Sequence, residues 1–497
     1  MLFRTVATTA IGVLALAIAG ATMGPGWEPV PLRDAPQVER SSTMIGGPAD
    51  ASPVGTYDVA TQVVQVQLDG AVVDAQISMP VGAPGELPGI VFVHGAGTGK
   101  FSRAFRTQAH GLASSGIVAM VPNKRLDTYS SRHRDYEAMA GDYARSVDQL
   151  RQTPGVDPDR VGVYGESEGG WIVPVMAARD PALAFAALVS APVVPPREQA
   201  AFAADSYLRN TGVPGGVFRA IPRAVGMVFP GGGFEYVDFD VSPFQQRTEQ
   251  PVFVAYGTKD ASMPMVQGAQ QIISDLAVAG NDRYTVRYYA GANHGLRVDG
   301  QVSPELVRDL GRWIDGLPSS ATARPRIAGD QPHQLYRAEP VTTPRWFEDG
   351  VAVLNTVIGA GIAIAIGAGL WLVTRRWRRG GTGLAAGLSR PLFGLALGAV
   401  LTVAALVWYL VAITRLALDY DQNAWVVQGG WVGVRLLGVA AVVAAAALVN
   451  RLDDLRGDPE RRAVRGATAG VTLALMATGS LVLLVTLAYW GVFQLGI

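Results

Sequence analysis

The sequence contains no cysteine, and only 16% of its 497 residues are charged. The first absence excludes disulfides, thiol catalysis and cysteine-based metal sites. The 41 Lys and Arg residues balance the 41 Asp and Glu residues without forming a broad basic face, so nucleic acid is not an expected partner. Hydrophobic residues make up 49% of the chain, and its mean hydropathy of +0.23 is high for a wholly soluble protein. The length favours more than one domain.

An apolar segment comes after the first few residues. Arg4 precedes a run from Thr5 to Met23 that carries no charge, and Ala19-Gly20-Ala21 offers a small-residue cleavage site. A positive residue before such a run is typical of a signal peptide or a signal anchor. Residues 1–24 are therefore expected to direct export of the polypeptide C-terminal to them, and whether they are cleaved stays open. The alternative, a buried helix of a soluble domain, fits poorly at the extreme N-terminus.

Short apolar segments alternate with helical patterns between residues 56 and 318, after a linker of Pro, Gly and Ser over 25–55. Residues 61–80 alternate polar and apolar side chains around Asp69-Gly70, which predicts a hairpin. This alternation predicts an α/β domain with a mostly parallel sheet and helices on both faces. Six further segments have the character of buried strands: 89–95, 116–124, 160–170, 184–192, 250–260 and 284–295.

The alternation is interrupted over about 195–250, which predicts an inserted helical cap. The apolar side chains of this insertion could line a substrate pocket, but ordinary packing of surface helices explains them equally well. These residues are Phe202, Tyr207, Phe218, Met227, Phe229, Phe234 and Tyr236.

A second linker over 319–348 leads into a strongly apolar region, 349–497. This region contains four apolar segments, each about 20 residues or longer, which is enough to cross a hydrocarbon core of ~30 Å. It therefore predicts an α-helical transmembrane bundle of four helices. The segments lie near 350–373, 391–413, 430–449 and 467–490.

The charges between these segments predict how the chain crosses the membrane. Arg375–Arg379 follows the first segment, Asp419–Gln422 the second and Arg451–Arg465 the third. Arginine-rich loops stay in the cytoplasm. The first and third loops are then inside, and the acidic second loop and the C-terminus are outside. The α/β domain is expected on the extracytoplasmic side, which agrees with export by the N-terminal segment.

Gly165-Glu166-Ser167-Glu168-Gly169 matches the motif G-x-S-x-G. The motif alone is weak because Gly and Ser are common. Here it follows the apolar strand RVGVY and precedes the helical pattern GWIVPVMAARD, which is the strand–turn–helix context of a nucleophile elbow. The pattern predicts that Ser167 presents its hydroxyl at the top of the sheet.

An attacking serine needs a histidine base that a carboxylate orients, in the chain order Ser, Asp or Glu, His. Asp260 and His294 each follow a predicted strand in that order, whereas His333 falls in the linker. Singly, Asp260 could be a turn or helix-cap residue, His294 a polar loop residue and Ser167 a helix cap. Together they fit a catalytic triad better.

The negative oxygen formed by acyl transfer needs two hydrogen-bond donors. The first expected donor is the backbone N–H of Glu168, and the second is that of Ala96, which Gly95 and Gly97 flank. His94 is expected to support this loop rather than act as a base. The Glu168 side chain is unexpected beside a developing negative charge. A carboxylate hydrogen-bonded within its own helix turn is favoured over one that binds a cationic group of the substrate.

Several segments resemble the α/β-hydrolase superfamily, and within it the hydrolases of the dienelactone-hydrolase and prolyl-oligopeptidase type. The resemblance spans about 57–317 and implies Ser167 as nucleophile, Asp260 as acid and His294 as base. The chemistry of such a triad needs no metal or organic cofactor. The apolar C-terminal region departs from the common catalytic unit. The segments are GIVFVHGAGTG, LASSGIVAMVPNKR, GVDPDRVGVYGESEGGWIVPVMAARDP, QPVFVAYGTKDASMP and GANHG.

These observations predict a membrane-anchored serine hydrolase that cleaves ester, thioester or related acyl bonds, with an acyl substrate and membrane lipids as partners. A peptidase acting on short peptides is an alternative, for which the acidic residues Glu168, Asp205 and Glu235 are weak indications. A non-catalytic binding or transport protein is a second alternative. The apolar segments contain few ionisable groups, with Arg415 and Arg435 near their ends, and this disfavours transport.

Overall fold

The structure is a computed structural model that describes residues 2–46, 51–229, 234–345, 347–377, 383–419, 421–456 and 462–495. Parts of the two predicted linkers, the cap and the charged loops lie outside the described residues, namely 47–50, 230–233, 346, 378–382, 420 and 457–461. The chain divides into two compact units. The sheet unit comprises Pro29–Ala203 and Gly232–Pro340, and the helix unit comprises Met1–Glu28, Ala204–Gly231 and Val341–Ile497.

The sheet unit is built on one nine-stranded sheet. In spatial order the strands are β1, β2, β4, β3, β5, β6, β7, β8 and β9. The β1–β2 and β2–β4 pairs are antiparallel and all the others are parallel, so the expected hairpin and mostly parallel sheet are confirmed. The strands are β1 (Val59–Leu68), β2 (Ala71–Pro80), β3 (Leu87–Val93), β4 (Val118–Pro122), β5 (Val156–Glu166), β6 (Ala186–Val189), β7 (Val252–Gly257), β8 (Tyr284–Tyr289) and β9 (Ile327–Gly329).

Helices cover both faces of this sheet. Successive side chains of a strand point to opposite faces, and in β3 Val91 belongs to one buried cluster whereas Phe92 belongs to the other. The two clusters are the two halves of the core. Three helices pack on the Val91 side, α3 (Tyr136–Arg151), α4 (Gly169–Arg179) and α8 (Met265–Val278). Two pack on the Phe92 side, α2 (Arg106–Ala113) and α9 (Pro304–Asp315).

The predicted insertion is divided between the units. Helix α5 (Pro196–Thr211) contains the boundary, α6 (Ala220–Val225) belongs to the helix unit, and α7 (Ser242–Gln245) belongs to the sheet unit. The apolar residues of the insertion contribute to ordinary packing on both sides of this division. Phe202 and Tyr236 pack against the sheet core, whereas Phe218 packs against the core of the helix unit.

Among the described residues, five helices are long and apolar enough to cross a membrane. One is formed by the N-terminal segment, and the other four match the four predicted C-terminal segments. At 1.5 Å per residue each is about 30 Å long or longer. The helices are α1 (Leu2–Thr22), α10 (Gly350–Trp377), α11 (Ser389–Leu418), α12 (Gly430–Arg456) and α13 (Ala467–Tyr489).

Contacts at the helix ends fix their directions. The guanidinium of Arg4 in α1 contacts Asp453 and Asp454 at the end of α12, at 2.8 and 2.9 Å. Arg451 donates to the carbonyl of Ala386, just before α11, at 3.0 Å. The short strand Gly383–Leu384 pairs with Val464–Arg465, just before α13. These contacts place the start of α1, the end of α12 and the starts of α11 and α13 at one end of the helix unit. We call it the basic end. Its arginines include Arg4, Arg375, Arg390, Arg451 and Arg456.

Other contacts join these helices at the opposite end of the unit. A Cβ atom on Gly20 of α1 would collide with the carbonyl oxygen of Ala488 in α13, and the rings of Phe347 and Tyr489 are 5.0 Å apart. Gln428 donates to the carbonyl of Gly212 at 2.9 Å. Part of the insertion therefore packs at this opposite end.

Candidate active site

Ser167 lies in a sharp turn between β5 and α4. Its φ is +56°, which is uncommon for a residue other than glycine and marks backbone strain. Two neighbouring glycines make the turn possible. A Cβ atom on Gly165 would lie 2.5 Å from the Gly169 oxygen, and one on Gly169 would lie 2.7 Å from the Val93 oxygen. The backbone N–H of Ser167 donates to Val189 of β6 at 3.0 Å. The turn has the local geometry of a nucleophile elbow.

The structure brings Ser167, His294 and Asp260 together in one hydrogen-bonded chain. The Ser167 hydroxyl lies 2.8 Å from Nε2 of His294, and Nδ1 of His294 lies 2.8 Å from Oδ2 of Asp260. Because a carboxylate only accepts, Nδ1 carries the proton and Nε2 is free to accept from the serine. Asp260 follows β7 and His294 follows β8. His333 is exposed and has no part in this chain.

The carboxylate of Asp260 is fully buried and heavily hydrogen-bonded. Oδ1 accepts from the Ser262 hydroxyl at 2.6 Å, from the Ser262 N–H at 2.9 Å and from the Met263 N–H at 3.2 Å. Burial by itself would raise the pKa of Asp260, but His294 and these hydrogen bonds outweigh it and the pKa is lowered. Asp260 therefore also organises the turn before α8. The sequence-based interpretation overlooked Ser262.

His294 is about one-third exposed, at 34% of its side chain. Burial lowers its pKa, but the nearby charges of Asp260 and Glu166 outweigh burial and the pKa is raised. Glu166, the residue before the serine, accepts from the Tyr164 hydroxyl at 2.8 Å. Burial raises the pKa of the Glu166 carboxyl group. The electrostatic effect of Glu166 on His294 was not predicted.

The loop after β3 lies against the serine. A Cβ atom on Gly95 would lie 3.1 Å from Cβ of Ser167, so a larger residue here would fit only if its neighbours shifted. Gly97 has a φ of +76°. Within the described part of the chain, the backbone N–H groups of Ala96 and Glu168 donate to no other residue. Neither predicted donor is therefore engaged by another residue of the described chain.

His94 is buried beneath this loop. Its Nε2–H donates to the carbonyl of Pro122 at 2.8 Å, and Nδ1 lies 3.3 Å from the Thr98 hydroxyl. Burial lowers the pKa of His94 to about 4, so the imidazole is neutral near pH 7. These contacts suit a residue that holds the loop.

The Glu168 carboxylate has partners that differ from the predicted ones. It is 1% exposed and contacts Lys124 at 2.8 Å and Arg134 at 2.7 Å. The Tyr129 hydroxyl donates to it at 3.0 Å. The expectation of hydrogen bonds within its own helix turn is therefore wrong, because all three side chains come from the segment that begins just after β4. Burial lowers the pKa of Lys124, although Glu168 opposes this shift.

Comparisons with known proteins concern the sheet unit. Residues 143–299 match the family model described as "BAAT / Acyl-CoA thioester hydrolase C terminal". This match includes Ser167, Asp260 and His294 and covers about a third of the chain. Together with the sheet order, it supports the resemblance to α/β-hydrolases. No curated protein sequence matches the chain.

Solved structures are similar to about half of the chain. A Klebsiella pneumoniae protein described as a dienelactone hydrolase is 18% identical, with a TM-score of 0.36, over 51% of this chain and 95% of that chain. The Pyrococcus horikoshii acylaminoacyl peptidase is 16% identical, with a TM-score of 0.36, over 50% of this chain but only 39% of its own. A cold-adapted esterase from an Arctic intertidal metagenomic library is 14% identical, with a TM-score of 0.33, over 54% of this chain and 99% of that chain.

Proposed function

We propose that this protein is a membrane-bound serine hydrolase that cleaves acyl esters or thioesters through an acyl-serine intermediate. The observation that carries the proposal is the hydrogen-bonded chain from Ser167 through His294 to Asp260, with 2.8 Å at each step. A serine hydroxyl is a poor nucleophile until a neighbouring base removes its proton. The strained backbone of Ser167 supports the same role, because strain of this kind clusters at functional sites.

In the proposed reaction Ser167 Oγ attacks the acyl carbon while its proton passes to Nε2 of His294. Asp260 holds the imidazole tautomer and stabilises its charged form. The N–H groups of Ala96 and Glu168 bind the developing oxyanion. The leaving alcohol or thiol takes the proton from His294. Water then attacks the acyl-serine, with His294 again as base, and releases the acid and the free serine.

The acyl substrate class is supported by the family match, whose printed description names an acyl-CoA thioester hydrolase. The residues that suggested a peptidase carry little weight. Glu168 is already bound by Lys124 and Arg134, and it has no free oxygen for a substrate amine. Asp205 contacts Arg209 at 2.7 Å and accepts from Trp27 at 2.7 Å, all within the helix unit.

We further propose that the five apolar helices anchor the enzyme, with the basic end in the cytoplasm. The grouping of arginines at that end supports this orientation. Chain direction supports it too, because α1 ends and α10 begins at the opposite end. Everything between Thr22 and Gly350, including the sheet unit, would then lie on the extracytoplasmic side. The contacts of Arg4 and Gly20 with α12 and α13 support an anchor that is retained.

The test is labelling of the detergent-solubilised full chain with a fluorescent fluorophosphonate, with Ser167→Ala and His294→Ala as variants. Ser319→Ala, which changes an ordinary serine of the sheet unit, is the matched control. We expect label on the wild type and on Ser319→Ala, and none on Ser167→Ala. p-Nitrophenyl esters, acyl thioesters and aminoacyl p-nitroanilides then separate esterase from peptidase activity. A folded wild type that takes no label would overturn the activated serine and favour a binding or transport role.

A further inference from the structure

One buried ammonium group joins the two chain segments that carry the proposed oxyanion donors. Nζ of Lys124 donates to the carbonyl of Gly95 at 2.7 Å and to the carboxylate of Glu168 at 2.8 Å. It also lies 4.3 Å from the centre of the Tyr129 ring. The Lys124 side chain is 1% exposed, so these contacts are shielded from solvent. The proposed reaction steps do not involve Lys124.

The carbonyl that Lys124 binds belongs to the same peptide unit as the N–H of Ala96. A trans peptide is planar, and its C=O and N–H point in opposite directions. A bond that holds the Gly95 oxygen toward the protein interior therefore turns the Ala96 N–H outward. That N–H donates to no described residue, and Gly95 packs directly against Ser167.

We infer that Lys124 is a positioning residue for the oxyanion hole, because it fixes the plane of the Gly95–Ala96 peptide and anchors Glu168, whose own N–H is the second donor. The inference rests on the proposed serine hydrolase function. Glu168 thus serves as the counter-charge that keeps a lysine in a buried position where an isolated ammonium would be costly.

The same contacts explain why a carboxylate is tolerated next to a developing negative charge. Glu168 carries one negative charge, and Lys124 and Arg134 together carry two positive charges. The cluster is therefore positive overall. A charged donor on the Gly95 carbonyl also polarises that peptide and makes its N–H a stronger donor.

A buried ion pair could stabilise the fold without any effect on the oxyanion, so the test must separate these roles. Replacing the substrate carbonyl oxygen by sulfur gives a weaker hydrogen-bond acceptor. An intact oxyanion hole therefore favours the oxygen ester over its thiono analogue, and a misaligned one favours it less. Loss of stability alone leaves this preference unchanged.

The experiment measures kcat and KM of the full chain in detergent with p-nitrophenyl butyrate and its thiono analogue. The variant is Lys124→Met, which keeps the length of the side chain and removes its donors. Lys124→Met combined with Glu168→Gln guards against unfolding caused by an unpaired carboxylate. Arg151→Met is the matched control, because it breaks an ion pair of the sheet unit, with Asp180 at 2.9 Å, at the far end of α4.

For Lys124→Met and the double variant we expect kcat to fall about 10- to 100-fold while KM stays within about threefold, because the donors act mainly in the transition state. We also expect the oxygen-to-sulfur ratio of kcat to fall about tenfold, and Arg151→Met to leave it unchanged. A folded single or double variant with the wild-type ratio overturns the inference and leaves the serine hydrolase intact. Equal activity of wild type and Ser167→Ala instead overturns the proposed function, and the inference with it.

Discussion

The hydroxyl of Ser262 donates a 2.6 Å hydrogen bond to the Asp260 oxygen that does not contact His294. One carboxylate oxygen thus faces its own turn and the other faces the imidazole. This division fixes the carboxylate in a single rotamer. It also means that the role of Asp260 in the turn can be separated from its role toward His294.

Asp260→Asn tests that separation. The amide keeps the size of the carboxylate and can keep an acceptor toward Ser262, but it then presents an N–H₂ group to Nδ1 and selects the wrong imidazole tautomer. We expect kcat for p-nitrophenyl butyrate to fall about 10⁴-fold with a small change in KM. Asp282→Asn, at an exposed position of the same unit, is the control. Activity of Asp260→Asn within tenfold of the wild type would remove Asp260 from the proposed triad.

The raised pKa of His294 predicts the pH dependence of activity. Only the neutral imidazole can accept the serine proton, so kcat/KM should rise with pH around a midpoint above the ordinary histidine value of 6.5. The Glu166 charge contributes to that shift. Glu166→Gln should therefore move the rising limb toward lower pH, whereas Glu86→Gln on the surface should not. A rising limb that stays in place in Glu166→Gln would contradict this account.

The close contacts around the elbow predict a sharp difference between two Gly→Ala substitutions. Gly165→Ala puts a methyl group 2.5 Å from a backbone oxygen, and we expect it to cost about 1–3 kcal/mol of stability and to abolish labelling. Gly141→Ala lies on an exposed part of α3 with nothing within 4 Å. It should stabilise the helix by up to about 1 kcal/mol. Thermal unfolding of both variants, followed by near-UV circular dichroism, decides the point. Equal unfolding midpoints for Gly165→Ala and Gly141→Ala would mean that the turn around Ser167 can relax to accept the methyl group.

Helix α1 is expected to remain attached to the mature protein. It places Thr8 3.1 Å from Asn450 and Arg4 beside Asp453 and Asp454, contacts that a cleaved signal peptide would lose. A chain with one epitope tag at each terminus should give a single full-length band with both antibodies. A shorter band that carries the C-terminal tag but lacks the N-terminal tag would show that residues 1–24 are removed.

The proposed orientation can be tested with single cysteines, since the natural chain has none. Asp421→Cys lies at the opposite end of the helix unit and Arg465→Cys at the basic end. In intact cells a membrane-impermeant maleimide should label Asp421→Cys only, and Arg465→Cys should react after permeabilisation. The reverse pattern would invert the proposed topology.

The parts of the site that the sequence could reveal are those that depend on chain order. Ser167, Asp260 and His294 each follow a strand, and the carboxyl ends of parallel strands share one edge of a sheet. Their convergence therefore follows from local patterns. The partners of Glu168 do not, because Lys124 and Arg134 lie 44 and 34 residues away in sequence. No local sequence pattern predicts which buried charged side chains will form ion pairs with each other.

The insertion shows a second limit of sequence reasoning. Its apolar residues predicted a cap, but hydrophobic pattern alone cannot say which core a segment joins. The structure assigns Phe202 to one core and Phe218 to another, although both lie on the same stretch of chain. Ser262 was missed for a simpler reason, since its hydroxyl acts on a residue only two positions away and such local bonds are common in ordinary turns.

The residues that form ion pairs with Arg4 are synthesised long after Arg4 itself. The guanidinium and the carboxylate of Asp454 are 450 residues apart, which corresponds to roughly 20–90 s of translation at ~5–20 residues per second. Throughout that interval α1 has none of its partners in α12 and α13. The sheet unit is made in the meantime. The packing of α1 against α12 and α13 can therefore begin only after these two helices have been synthesised. A chain that stops before α12 contains all the proposed catalytic residues but none of these partners of α1.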